Sequence, residues 1–234
     1  MMMTPLILLA MTVVADGQFT FTTNNGTIAI TGYTGQVGDV NIPENINGMP
    51  VTRIEGFSFW QNYKLHSVTI GNNVTSIGNF AFHGCFGLTD LTIGTNVITI
   101  EKNAFGFCAM TNITIPNSVT NIGDYLFASC HNLTNVKIGD GVKSIGVEAF
   151  NMCTNLTEVN FGNNVVSIRD KAFSSCWNLT SVSLPISVTN FGRAVFGYCV
   201  HLTNIVAGSG ITNIGISNSG WTNYSGHFYR TGSL

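Results

Sequence analysis

Leu133-Thr-Asn-Val136-Lys-Ile138-Gly139-Asp-Gly-Val142-Lys-Ser-Ile145-Gly-Val-Glu-Ala149-Phe150-Asn-Met-Cys153-Thr-Asn155 is one turn of a repeat, and Leu156 opens the next. The cysteines make the period countable. Cys85, Cys108, Cys130, Cys153, Cys176 and Cys199 lie 23, 22, 23, 23 and 23 residues apart. A fixed period of this size marks a solenoid, in which each repeat is one coil stacked on the last. Units begin at Leu65, Leu88, Met110, Leu133, Leu156 and Leu179. A seventh begins at Leu202 and loses the pattern after Gly215. An entry unit places Val40, Ile42, Val51, Ile54 and Phe59 in the apolar columns and Asn62 where cysteine belongs. The single 22-residue step arises because only Ala109 separates Cys108 from Met110.

Each column has a physical reading. Val136 and Ile138 are two apart, so they share one face of a short strand, and stacking the coils makes that strand a parallel sheet. The next column holds Gly71, Gly94, Pro116, Gly139, Gly162, Pro185 and Gly208. A site that accepts both glycine and proline needs neither positive φ nor a ladder hydrogen bond, so the strand ends there. Val142 and Ile145 turn the chain onto a second face. Gly78, Gly123, Gly146, Gly192 and Gly215 then allow a tight turn, although Glu101 and Arg169 in the same column show that positive φ is not obligatory. The Ala-Phe-x-x-Cys segment is expected to close the coil as a helical or 3₁₀ turn. Its rings, Phe82, Phe105, Phe127, Phe150, Phe173 and Phe196, are expected to stack inward as one continuous core.

The run Leu-Thr-x-Val-x-Ile-Pro/Gly-x-x-Val-x-x-Ile-Gly-x-x-Ala-Phe-x-x-Cys closely resembles the BspA-type leucine-rich repeat family over about Val40 to Gly215. The segment from Gln18 to Gly35 also resembles the β-rich lead-in that often precedes such arrays. The resemblance implies a leucine-rich-repeat solenoid of the α/β type. It would have about eight coils, a parallel sheet on one face and short helical or 3₁₀ turns elsewhere. It also implies a secreted or cell-surface binding module, most often adhesive, and it brings no catalytic residue with it.

Composition narrows the function classes. Charged residues make up 9% of the 234 and the net charge is −2. A nucleic-acid binder needs a basic face, and nine Lys and Arg among eleven Asp and Glu provide none. The outside must be built from Thr, Ser, Asn and Gly, a neutral surface that suits an extracellular array or a carbohydrate contact better than a charged partner. The apolar run Pro5–Val14 is too short to span a bilayer. It has the length of an export-signal core, with Val13 and Ala15 at the −3 and −1 positions of a cut before Asp16, although no Lys or Arg precedes it. The expected organisation is an export signal over 1–15, a lead-in over 16–39, the solenoid over 40–215, and a C-terminal cap or truncated end over 216–234. In that tail Trp221, Tyr224, Phe228 and Tyr229 are the residues that could cover the open end.

The six cysteines admit disulfides, metal ligation or a ladder of buried thiols. Equivalent residues on adjacent coils sit about 5 Å apart with parallel Cα–Cβ vectors, whereas a disulfide needs Cβ atoms facing each other at about 3.8 Å. Zinc needs tetrahedral convergence, and no Cys-x-x-Cys or Cys-x-x-His occurs. The thiol ladder is therefore favoured, with no metal and no cofactor. His66, His83, His131, His201 and His227 fall in different columns and read as solvated loop residues. Asp90 and Glu158 share a column but lie three coils, roughly 14–15 Å, apart. That is too far for a glycosidase carboxylate pair, so no enzyme is expected.

The surface expected to act is the outward side of the strand, where Asp90, Lys137, Glu158 and Asn160 break the run of Thr, Ser and Asn, with Asn112 and Asn135 in the same columns. The expected function is non-catalytic recognition or adhesion toward an extracellular protein or polysaccharide. The chain is expected to be monomeric, with no nucleic acid and no integral membrane span. The alternative is a structural spacer without a specific ligand, which a uniform Thr/Ser/Asn face would favour.

Overall fold

The computed structural model describes residues 18–35 and 38–208, with two further strands at Asn213–Ile214 and His227–Arg230. The expected export signal, Trp221 and Tyr224 lie outside the described residues. The chain winds as a β-solenoid with three faces per coil.

The first face carries the x-Val-x-Ile strands. They run parallel in three ladders: Asp39–Ile42, Ser67–Ile70 and Asp90–Thr92; Asn112–Ile115, Asn135–Ile138 and Glu158–Asn160; Ser181–Ser183, Asn204–Ala207 and His227–Arg230. Register follows the repeat, with Val136 opposite Ile113 and Val159. Both interruptions between ladders fall just upstream of a coil that carries proline after its strand, Pro116 or Pro185. Proline has no N–H to give to a ladder. The last strand pairs Asn204 with His227, one further 23-residue step, so the coil spacing continues past the point where the sequence pattern fades.

The second face is a ladder of two-residue strands, from Ser76–Ile77 to Asn213–Ile214. Its upstream edge is not left open. Met49–Ile54 pairs with Ser76–Ile77, Thr27–Tyr33 pairs parallel with Met49–Ile54, and Phe19–Asn24 folds back on Thr27–Tyr33. Asn25-Gly26 makes that hairpin turn with φ of 47° and 77°, the Asn-Gly chemistry of a type I′ turn. Asn47-Gly48 repeats it between Asn45–Ile46 and Met49. This second hairpin lengthens the entry coil.

The third face, Ala-Phe-x-x-Cys, differs from expectation: no helix or 3₁₀ turn occurs among the described residues. The residues before the Ala column, which holds Leu126 in one coil, and before Cys have left-handed φ in coil after coil, as at Glu148 (54°) and Met152 (60°), or Tyr125 (57°) and Ser129 (59°). A helix would bond each N–H four residues back. Here the N–H groups alternate. Phe80, Phe82 and Gly84 donate to Lys102, Ala104 and Gly106 of the next coil at 3.1, 2.8 and 2.8 Å. Ala81, His83 and Cys85 donate back three residues, at 3.3, 3.2 and 3.3 Å. The "turn" is thus a third inter-coil ladder.

The glycine column at Gly78, Gly123, Gly146 and Gly192 also has another cause than a tight turn. None of the four has positive φ. A Cβ on Gly146 would instead lie 2.6 Å from the Gly123 carbonyl carbon, and one on Gly192 2.4 Å from the Asp170 nitrogen. The column is where successive coils touch backbone to backbone. In the regular coils the side chains it holds, Glu101 and Arg169, have glycine in the same place on the coils above and below.

The core is built on the Phe column. Phe82, Phe105, Phe127, Phe150 and Phe173 are fully buried and Phe196 nearly so. Each ring stacks on the next, with centroids 5.3, 5.7, 5.3, 5.0 and 5.6 Å apart. Phe59 and Tyr33 continue the stack into the lead-in at 4.6 and 5.4 Å.

Candidate functional site

The six cysteines are free and buried, and they do more than fill space. Each Sγ–H donates to the carbonyl of the Phe-column residue one coil back: Cys85 to Phe59, Cys108 to Phe82, Cys130 to Phe105, Cys153 to Phe127, Cys176 to Phe150 and Cys199 to Phe173, at 3.1–3.3 Å. Burial pushes the Cys130 thiol up to about 12, and it raises Cys108, Cys153 and Cys176 well above the ordinary value. A thiol held protonated is neither nucleophile nor metal ligand.

The acids are likewise spent on coil stacking. Asp124 Oδ1 accepts from Val147 N–H, Asp140 Oδ1 from Asn163 N–H and Asp170 Oδ1 from Arg193 N–H, each at 2.8 Å. Arg169 adds an exposed ion pair to Asp124 at 3.1 Å. Among the described residues no group of three or more His, Cys, Asp or Glu is placed to hold a metal ion. No described helix is long and apolar enough to cross a membrane.

Of the strand-face residues singled out from sequence, five come together. Asn112, Asn135 and Glu158 stand in one register across three adjacent strands, with Lys137 beside Asn160 two positions on. Asp90 belongs to the preceding ladder. These polar groups largely bond one another. Asn135 Nδ2 donates to Asn112 Oδ1 at 3.0 Å and Asn160 Nδ2 to Glu158 Oε1 at 2.9 Å, while Asp90 accepts from Thr89 at 2.8 Å.

A second surface lies on the turn face of the first coils. Phe57, Trp60 and Tyr63 line one coil at intervals of three residues, and Phe80, His83 and Phe86 line the next in the same columns. Phe57 stacks on Phe80 at 5.2 Å and Tyr63 on Phe86 at 5.5 Å. His83 and Phe107 meet edge to face at 5.2 Å. The rings are nonetheless outside: Phe57 is 58% exposed, Trp60 49%, Tyr63 56% and Phe86 56%. Solvent-facing apolar patches of this kind mark interaction sites on soluble proteins, and Trp and Tyr are over-represented at binding hot spots. Beside the patch an open cleft of about 360 Å³ is lined by Tyr33, Phe57, Trp60, Tyr63 and Lys64 among others. The buried Tyr33 hydroxyl has no hydrogen-bond partner among the described residues, and burial raises its pKa.

Sequence reasoning missed this surface. The signal was there, aromatics at i, i+3 and i+6 in two successive coils. Which way those residues point depends on the left-handed positions Phe57, Gln61 and Phe80, and nothing in their residue types announces that conformation.

A family model described as BspA type leucine-rich repeat region matches residues 52–146 and 120–219, in six copies. Among solved structures, a leucine-rich repeat protein of T. pallidum is 32% identical. The match covers 80% of this chain and 88% of that one, with a TM-score of 0.76. A leucine-rich repeat protein of Bacteroides ovatus shares the fold at 21% identity and a TM-score of 0.53, over 86% of this chain and 75% of that one. No curated protein matches the chain.

Proposed function

Because this chain belongs to the BspA-type leucine-rich repeat family, we propose that it is a non-catalytic recognition module, exported to the cell surface or beyond. The observation that carries this reading is the terrace of exposed rings built on Phe57, Trp60, Tyr63 and Phe86. The rings of the Phe column are buried almost completely; Phe107, Trp177 and Tyr198 are exposed as well, but Phe57, Trp60, Tyr63 and Phe86 gather on two adjacent coils, and an exposed apolar cluster serves something other than the core. Export is supported by the apolar run Pro5–Val14 and by a low charge content. The strand-face group Asp90, Asn112, Asn135, Lys137, Glu158 and Asn160 is proposed as a secondary contact surface.

A spacer role is the second reading, and the strand face favours it. Its amides and carboxylates already satisfy one another, so they offer few open groups to a partner. The two readings separate in a binding panel of immobilised fibronectin, laminin, collagen and extracellular polysaccharides. Saturable binding of the folded full chain to at least one member supports recognition. Binding to none of them sinks it in favour of the spacer.

A further inference from the structure

We propose that the aromatic terrace of the first coils, with the cleft at Tyr33, binds an uncharged glycan chain. The proposal rests on the recognition reading and names its ligand class. Four features of the surface lead there.

The terrace repeats. Phe57 over Phe80 and Tyr63 over Phe86 advance by one coil at 5.2 and 5.5 Å, with interplanar angles of 7° and 10°. A polysaccharide is also a one-dimensional repeat, and its pyranose rings follow one another at close to this step. The C–H rows on a pyranose face carry slight positive charge and match the electron-rich face of an aromatic ring; the stacked pairs cover the faces between them, and Trp60, on which no described ring stacks, is the ring placed to meet a sugar face.

The groups around the rings are carboxamides. Gln61 and Asn79 are exposed, and their side chains make no hydrogen bond among the described residues. A carboxamide presents donor and acceptor side by side, which suits neighbouring sugar hydroxyls that both donate and accept. The proline units of a proline-rich peptide offer carbonyl acceptors and no backbone donor.

The Tyr33 hydroxyl supplies an independent pointer. It is buried, lacks a partner among the described residues, and belongs to the residues lining the cleft. Buried polar groups are nearly always satisfied, and leaving one unpaired opposes folding. Its oxygen is closed to solvent and covered by Gly35 in this structure, so a sugar hydroxyl would pair with it as the cleft widens.

Charge completes the match. Lys64 is the one ionisable lysine, arginine or acid lining the cleft, and no carboxylate accompanies it. An acidic glycan would need a basic cluster that is not present there, whereas an uncharged one needs none.

The test uses the full chain carrying Trp177→Phe and Trp221→Phe, which leaves Trp60 as the remaining tryptophan of three. Its fluorescence is titrated with hexasaccharides of the cello-, chito-, manno- and malto- series, with a heparin hexasaccharide and a proline-rich peptide in parallel arms. The expected result is a saturable spectral shift with at least one uncharged hexasaccharide. In that case Phe86→Ala and Tyr33→Phe weaken it by about tenfold or more, while their urea midpoints confirm that each variant is folded. Saturation by the heparin fragment or the peptide alone overturns the glycan assignment and leaves recognition standing. The same holds if fibronectin, laminin or collagen binds and no hexasaccharide does. Silence in every arm overturns both.

Discussion

Removing one ring from the middle of the stack is the sharpest perturbation the fold allows. Phe150 is fully buried. Its ring lies 5.3 Å from Phe127 and 5.0 Å from Phe173, the latter pair within 3° of parallel. Phe150→Ala therefore loses the transfer energy of a whole ring and leaves a cavity walled by two rings that the stacked backbone holds in place. Large-to-small changes of this type cost about 3–5 kcal/mol. Two severed ring contacts, each worth about 0.5–1.5 kcal/mol, put the expected loss in the upper part of that range. For a chain of this size each kcal/mol lowers Tm by about 2–4 °C, so the midpoint should fall by roughly 8–20 °C. Urea unfolding followed by far-UV circular dichroism gives the stability directly, with Phe86→Ala as the exposed-ring control. Because solenoid coils contact only their neighbours, the variant should also unfold over a broader range as the two halves decouple. A loss below about 1 kcal/mol, or one no greater than the control's, would refute the inward ring stack as the main source of cohesion.

The remaining consequences are more local. The buried thiols should resist a thiol-specific reagent in the native protein and all six should react in denaturant; rapid native labelling would contradict their burial. Cys130 has its thiol raised from the ordinary 9.0 to about 12. Unfolded chains ionise there first, so stability should be full below pH 9 and fall as pH rises toward 12, less steeply in Cys130→Ala; an unchanged slope would dissociate the thiol from the alkaline transition. Gly192→Ala brings a Cβ to 2.4 Å of the Asp170 nitrogen and should cost about 1–3 kcal/mol, as overpacking does; a neutral effect in urea unfolding would mean the coils have slack. Arg169→Ala removes an exposed pair and should change stability by less than about 1 kcal/mol, which the same urea series measures.

What could be read from sequence divides along a physical line. Val136, Ile138, Phe150 and Cys153 are buried, and burial in a stacked repeat leaves the same residue type at the same place in each coil, so their columns are visible in the letters. The turn face was not legible. Glu148 and Met152 are good helix formers by propensity, and Ala-Phe-x-x-Cys between them reads locally as helix. The inter-coil bonds from alternate N–H groups override that preference and hold both residues at positive φ. The thiol's donor role was hidden for a similar reason: composition can place Cys153 inside, but only the stacked geometry puts the Phe127 carbonyl within its reach. The candidate site follows the same logic. A repeat dictates its inward columns and leaves the outward ones free, so Phe57, Trp60 and Phe86 sit where the pattern makes no demand.

The central claim is that this solenoid recognises its partner through the exposed rings and only secondarily through its polar strand face. The most direct measurement is affinity of the full chain, by surface plasmon resonance, for fibronectin, laminin, collagen and the four hexasaccharide series. Two variants are run beside the wild type, Trp60→Ala/Phe86→Ala and Asp90→Ala/Lys137→Ala/Glu158→Ala. At least one surface should bind the wild type saturably, with the ring variant weakened by about tenfold or more and the strand-face variant by well under tenfold. Loss confined to the strand-face variant, or no binding by the folded wild type, would contradict it.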